Sequence, residues 1–192
     1  MSVTSVLLVG IGGQGTVFLS NILVKGLLNA GYDVKMSEIH GMAQRGGTVS
    51  TQVRYGDKVY SPIIGDGEAD IMVAFEKQEA LRYMHLLKPG GELIVNDEGL
   101  PSAPVQSGKI TYPEDTIDVL KGLVADTVVI KASDIADELG NPKVANVVLF
   151  GALAKLMNLA GIDWKPVIAA SVKEKFVDVN MEAFDRGQAL IQ

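Results

Sequence analysis

Val3-Thr-Ser-Val-Leu-Leu-Val9 runs directly into Gly10-Ile-Gly-Gly-Gln-Gly15, and an apolar stretch over residues 16–30 follows. The β-branched run reads as a strand and the glycines as a tight turn. In the next stretch Asn21, Lys25 and Asn29 fall at i, i+4 and i+8 as a single polar stripe. Val17, Phe18, Leu19, Ile22, Leu23, Leu27 and Leu28 cover the other faces, which predicts a mostly buried helix. Gly31 suits the residue just past a helix end, and residues 32–36 resemble a second strand. The pattern predicts a βαβ start with its two strands paired in parallel.

After such a start a dinucleotide-binding chain enters another crossover helix, but residues 37–47 show no helical period. They lead to a strand-like alternation over residues 48–55, a Gly56-Asp57 turn and a further run over residues 58–64, a β-hairpin where a helix is expected. Residues 70–75 then read as a core strand, residues 76–87 as a helix stopped by Lys88-Pro-Gly-Gly91, and residues 92–96 as another strand. A Pro-, Gly- and Ser-rich loop covers residues 98–107. Strands are expected at 109–112 and 127–131, a short helix near 114–122, and helices at 143–160, 164–176 and about 180–191. The alternation predicts a three-layer α/β/α fold with a mixed, mainly parallel sheet and a helical C-terminus, as one domain over residues 1–192.

Composition narrows the chemistry. There is no cysteine among the 192 residues, which excludes disulfides, cysteine nucleophiles and iron–sulfur ligation by this chain, and only His40 and His85 remain for imidazole chemistry. A net charge of −6 with 6% aromatics argues against nucleic acid as a partner. The start of the chain lacks a basic segment and reads as a strand, not a signal peptide. The most apolar stretch, residues 144–160, is interrupted by Asn146, Lys155 and Asn158, which predicts a buried helix and no membrane span. These features predict a soluble, cytoplasmic protein.

Three segments are candidates for a site. Gly10-x-Gly12-x-x-Gly15 lies between a strand and a helix, where glycines let backbone N–H groups approach an anion and the helix N-terminus adds favourable partial charge. Glu38 stands near the position of a ribose-binding acid, which leaves a nicotinamide- or flavin-binding oxidoreductase as an alternative to anion contact or simple packing. Gly65-Asp66-Gly67 with Asn96 imitates a thiamine diphosphate motif. A strand follows it instead of a helix, however, and Asp97 stands where a second Asn is usual, so a turn is the simpler account. The segment Ser37-Glu-Ile-His-Gly-Met-Ala-Gln-Arg-Gly-Gly47 is too polar for core, and Arg45 in it has the fork geometry to clamp a carboxylate or phosphate. The structural alternative is a buried His, or an Arg paired with Glu38, held in place by the loop's own hydrogen bonds. His85, near a helix end, reads as a partner for the helix dipole. No GxSxG, P-loop lysine or HExxH occurs.

Three blocks in order resemble a known family: Gly-Ile-Gly-Gly-Gln-Gly15, Glu38-Ile-His-Gly-Met-Ala-Gln-Arg-Gly-Gly47, and Ala69-Asp-Ile-Met-Val-Ala-Phe-Glu76. They are similar to the gamma-type subunit of 2-oxoacid:ferredoxin oxidoreductases, and His-Gly-Met-Ala-Gln-Arg-Gly-Gly resembles its indolepyruvate branch, where the small chain is the beta subunit; the gamma subunit of the pyruvate or 2-oxoglutarate branch, which shares Arg-Gly but usually differs just upstream, is the alternative. The likeness extends to the Asn146-centred helix and to Asn180-Met-Glu-Ala-Phe-Asp-Arg-Gly187. It implies a complex that oxidatively decarboxylates a 2-oxoacid to an acyl-CoA and passes electrons to ferredoxin. Thiamine diphosphate, Mg and 4Fe-4S clusters are then expected in a large partner subunit, CoA as co-substrate, and no cofactor on this chain alone. The isolated chain is expected to be inactive, a dimer alone and a hetero-oligomer with its partner. The residues expected to face an anion, cofactor or partner are Gly10, Gly12, Gly13, Gln14 and Gly15 in one loop. In the other they are His40, Gly41, Met42, Gln44, Arg45, Gly46 and Gly47. No metal ligand and no catalytic residue is assigned.

Overall fold

The computed structural model describes residues 3–41, 47–101, 103–159 and 161–191. Its strands are β1 (Thr4–Ile11), β2 (Asp33–His40), β3 (Thr48–Gly56), β4 (Ala69–Ala74), β5 (Leu87–Asn96) and β6 (Thr127–Ile130). The helices are α1 (Thr16–Asn29), α2 (Lys77–Tyr83), α3 (Ala103–Gln106), α4 (Thr116–Leu123), α5 (Ala132–Glu138), α6 (Ala145–Met157), α7 (Trp164–Ala169) and α8 (Val177–Ala189). The six strands form one sheet in the order β2-β3-β1-β4-β5-β6. The pairs β1–β4, β4–β5 and β5–β6 are parallel, while β3 pairs antiparallel with both β1 and β2.

Strand alternation sorts the core onto two faces. Val6 and Leu8 of β1 point to the side covered by α1, α5, α6, α7 and α8, whereas Leu7 and Val9 point to the side where Ala80 of α2 and Leu120 of α4 pack. This is the expected α/β/α layering with a mixed sheet. Gly31 closes α1 as expected: at φ +89° it places its own N–H on Leu28 O and the next N–H, of Tyr32, on Leu27 O, the Schellman arrangement. Helix α6 is buried from Asn146 to Ala154, and it crosses α8 so closely that a Cβ on Gly151 would lie 2.1 Å from Phe184 O and one on Gly187 2.0 Å from Val148 O. Two backbones in direct contact need a glycine on each side.

Four expectations are corrected. The parallel pairing of the first two strands does not form, because β3 inserts between them and leaves β2 at the sheet edge. The hairpin is therefore β2–β3, and residues 58–64 are not its second arm. Their backbone bonds to side chains instead of a ladder: Val59 N donates to Asp33, Ile64 N to Gln52 Oε1 at 2.7 Å, and Ile63 O accepts from Arg54. Pro62 in this segment has no N–H for a ladder. Residues 109–112 form no strand; Tyr112 reaches the buried carboxylate of Glu76. Helix 164–176 stops at Ala169 and resumes as a 3-10 turn at Glu174–Phe176. Helix α5 was hidden in a polar stretch, where Ser133 and Asp134 resemble loop residues.

Candidate functional site

In the parallel half of the sheet the chain turns opposite ways after neighbouring strands: α1 follows β1 onto one face and α2 follows β4 onto the other. Such a reversal opens a crevice beyond the carboxyl ends of the two strands, the place where α/β sheets bind ligands. Here a crevice of about 500 Å³ lies at that point, walled by Gly13, Gln14 and Gly15 of the first turn, by Phe75, Asn96 and Glu98 beyond β4 and β5, and by Ser133, Lys143 and Asn146 of the helical half.

The glycine turn is shaped by close approach. Gly13 and Gly15 have φ of +106° and +87°, and a Cβ on Gly15 would lie 2.2 Å from Asn146 Nδ2. Gly15 is also the N-cap of α1 and supplies no side chain to its first-turn N–H groups. Gly10 lies deeper, where a Cβ would lie 2.9 Å from Phe75 Cβ, so it serves packing. Gln14 is turned inward. Its Oε1 accepts from Ile11 N at 2.8 Å, while its Nε2 donates to Phe75 O at 3.0 Å and to Glu98 at 3.3 Å. This side chain staples the turn to the end of β4.

The second loop meets the first. Gly12 N donates to Gly47 O at 2.8 Å, and Gly41 N to Thr48 O at 3.0 Å, so the base of the 41–47 loop is tied to the glycine turn. Gly12, Gly13 and Gly15 also share a second depression, of about 480 Å³, with Asn21 and His40. His40 is half exposed at its lip, with Nε2 3.4 Å from Glu38, whose other oxygen is 3.2 Å from Ser20 Oγ. His40 is thus paired with Glu38 but is not buried. Met42, Gln44, Arg45 and Gly46 lie outside the described residues. On the far side of the loop, Thr48 Oγ1 donates to the buried carboxylate of Glu79 at 2.9 Å.

Glu38 does not fit the ribose-binding role. That acid ends the strand beside β1 in a dinucleotide fold, and here β3 occupies that place while Glu38 lies on the outer strand β2. The thiamine motif also fails. Gly65-Asp66-Gly67 precedes β4, Asn96 ends the parallel β5, and the length of β4, about 16 Å at 3.3 Å per residue, separates them. Asn96 is moreover engaged: its Nδ2 donates to Glu98 and its Oδ1 accepts from Ala132 N at 2.9 Å. These residues do not fit a magnesium–diphosphate site. His85 lies within the 3-10 turn Met84–Leu86 after α2, stacked on Tyr83, at this same distant end. Among the described residues no group of three His, Asp or Glu side chains is placed to hold a metal ion, and no helix is long and apolar enough to cross a membrane.

Near the crevice, Glu76 caps α2 by accepting from Glu79 N and also accepts from Leu100 N and Tyr112 Oη. Burial and this carboxylate push the Tyr112 hydroxyl well above the usual tyrosine range, so it stays a protonated donor. Glu98, Ser133, Lys143 and Asn146 line the crevice and are not among the residues expected from the sequence. The available signal was their position: Glu98 lies just past a predicted strand, and Asn146 is the one polar residue early in an apolar helix.

The pyruvate ferredoxin/flavodoxin oxidoreductase family model matches residues 5–190. The chain is 40% identical over 190 residues to indolepyruvate oxidoreductase subunit IorB of Pyrococcus horikoshii, covering 95% of this chain and 93% of that protein. It is 29% identical over 191 residues to 2-oxoglutarate synthase subunit KorC of Methanothermobacter thermautotrophicus, covering 95% and 92%. The fold matches the keto/oxoacid ferredoxin oxidoreductase gamma subunit of Geobacter sulfurreducens at a TM-score of 0.70 and 23% identity, over 97% of both chains. It also matches 2-oxoglutarate:ferredoxin oxidoreductase of Magnetococcus marinus, solved with 2-oxoglutarate, coenzyme A and succinyl-CoA, at a TM-score of 0.76 and 23% identity, over 99% of this chain and 31% of that one.

Proposed function

The chain belongs to the pyruvate ferredoxin/flavodoxin oxidoreductase family, and from that premise we propose that it is the non-redox subunit of an indolepyruvate or related arylpyruvate ferredoxin oxidoreductase, working in a cytoplasmic hetero-oligomer. The observation that carries this reading is the 40% identity to the Pyrococcus horikoshii subunit over 93% of that protein's length. In the complex, thiamine diphosphate with Mg and the 4Fe-4S clusters supply decarboxylation and electron transfer from the large subunit. The absence of cysteine and the misplaced Asp66–Asn96 pair support assigning both groups to that partner. This chain contributes a preformed crevice at the end of β1 and β4 and, tied to it, the 41–47 loop. Together they present the glycine turn to CoA and to the large subunit.

The test mixes the purified chain with its large partner and follows 2-oxoacid- and CoA-dependent reduction of a one-electron dye. Turnover is expected from the mixture and none from the chain alone. Oxidation of a substrate by the isolated chain with NAD would overturn the subunit reading.

A further inference from the structure

Glu79 is a buried carboxylate that lines neither depression. It lies in the first turn of α2, 4% exposed, and both of its oxygens are committed: Oε2 accepts from Thr48 Oγ1 at 2.9 Å and Oε1 from Arg82 Nε at 3.1 Å. An apolar side chain of the same volume would fill this place without the desolvation cost of a charge, so packing alone does not account for a carboxylate here. Of its two partners, Arg82 is a surface side chain, 61% exposed, three residues along the same helix. Thr48 is the partner that joins distant parts of the chain.

Thr48 occupies a junction. It is the first residue of β3 and stands opposite Ile11, the last residue of β1. Its carbonyl accepts from Gly41 N at 3.0 Å, just past the end of β2, and the carbonyl of the residue before it, Gly47, accepts from Gly12 N at 2.8 Å. The β1–β3 ladder is thereby extended by one bond into the glycine turn. The end of a ladder opens more easily than its middle, and the Thr48 hydroxyl is a side-chain anchor at that end.

The other side of the turn is fixed to the same stretch of chain. Gln14 Nε2 donates to Phe75 O at 3.0 Å, and Phe75 N donates to Val9 O at 2.8 Å. Residues Phe75 to Glu79, where β4 passes into α2, therefore hold the turn at two points: Gln14 directly, and Gly12 by way of Gly47 and Thr48. Glu76 braces this junction, its side chain accepting from Glu79 N at 2.9 Å.

We infer that Glu79 is a positioning residue for the glycine turn, acting through Thr48 to fix the backbone at Gly47 and with it the N–H of Gly12. This deepens the subunit reading and rests on it only for the turnover measurement below.

The test compares Thr48→Val, which keeps the shape and loses the hydroxyl, with Thr48→Ser, which keeps the hydroxyl, in the full chain. Amide hydrogen exchange is read at Gly12 and Gly41, with Val73 in the middle of the sheet as reference. Thr48→Val is expected to speed exchange at Gly12 and Gly41 about fivefold, the value of one hydrogen bond, and to leave Val73 unchanged. Thr48→Ser is expected to match wild type. Glu79→Leu should reproduce the valine effect, and the double variant should add nothing to it, because both changes remove the same bond. If Glu79→Leu does not fold, the valine and serine variants carry the comparison. Unchanged exchange at Gly12 in Thr48→Val would overturn the proposal, and so would an acceleration shared equally by Val73, which marks a merely structural role. In the complex reconstituted with the large partner, Thr48→Val is expected to raise the KM for CoA about fivefold with kcat within about twofold, and Thr48→Ser to keep the wild-type KM. An unaltered KM in Thr48→Val would overturn the role in the reaction. A wild-type complex without turnover would sink the subunit reading, and the exchange comparison would then decide the role of Glu79.

Discussion

The two ends of the parallel sheet carry similar residues in very different surroundings. At the amino end Gly65-Asp66-Gly67 forms an exposed turn in which Asp66 is 85% exposed and His85 Nε2 lies 4.0 Å from its carboxylate. At the carboxyl end Gly13 and Gly15, Glu98 and Asn146 converge from three separate regions of the chain onto one crevice. Glycine and acid chemistry is thus common to both ends. What separates them is that a helix N-terminus and buried polar side chains meet only at the carboxyl end.

Matched glycine substitutions expose this difference. Gly15→Ala forces a side chain into left-handed backbone and into buried Asn146, and should cost about 2–3 kcal/mol, read as a fall in Tm of several degrees. Gly67→Ala, at φ +70° but in open space, meets only the backbone penalty and should cost about 1 kcal/mol. Equal losses at the two positions would remove the distinction between a packed turn and an open one. Asp66→Ala should leave dye reduction by the reconstituted complex within about twofold, because no reacting group is placed near this turn; a loss of an order of magnitude would restore Asp66 as a cofactor ligand.

A milder effect belongs to the sheet edge. Lys35 and the N–H of Val59 bond to Asp33 at the start of β2 and hold its carboxyl at about 2, below the usual aspartate range. Because the folded value lies below the unfolded one, this carboxylate stabilises the fold above about pH 4, and the contribution disappears as pH falls towards 2. The Tm difference between wild type and Asp33→Asn should therefore be present at pH 6 and shrink on acidification. A difference independent of pH would assign the effect to packing.

The amino half of the sheet shows why some of this was legible in the sequence and some was not. The β1–turn–α1 unit and Gly31 were readable because their determinants are local: a β-branched run, glycines at a forced turn, and a polar stripe at helical spacing. The position of β3 was not, since an alternating strand carries no mark of which neighbour it will join, and local order suggested that β2 would lie beside β1. Both candidate loops stand out in the sequence, but the bond between Gly12 and Gly47 spans 35 residues and follows only from β3 lying next to β1. Glu98, Ser133 and Asn146 escaped for the same reason. Each is unremarkable in its own segment and becomes part of a site only where three chain crossings end together.

That single bond from Gly12 N to Gly47 O has a mechanical consequence. It joins the glycine turn to the base of the loop that the large subunit is proposed to meet, with no flexible side chain between them. A subunit seated on the loop would therefore set the tilt of the first turn of α1, and a ligand settling on that turn would in return shift Gly47 at the loop's base. Assembly and ligand affinity become two ends of one short lever, and by thermodynamic reciprocity each strengthens or weakens the other by the same factor.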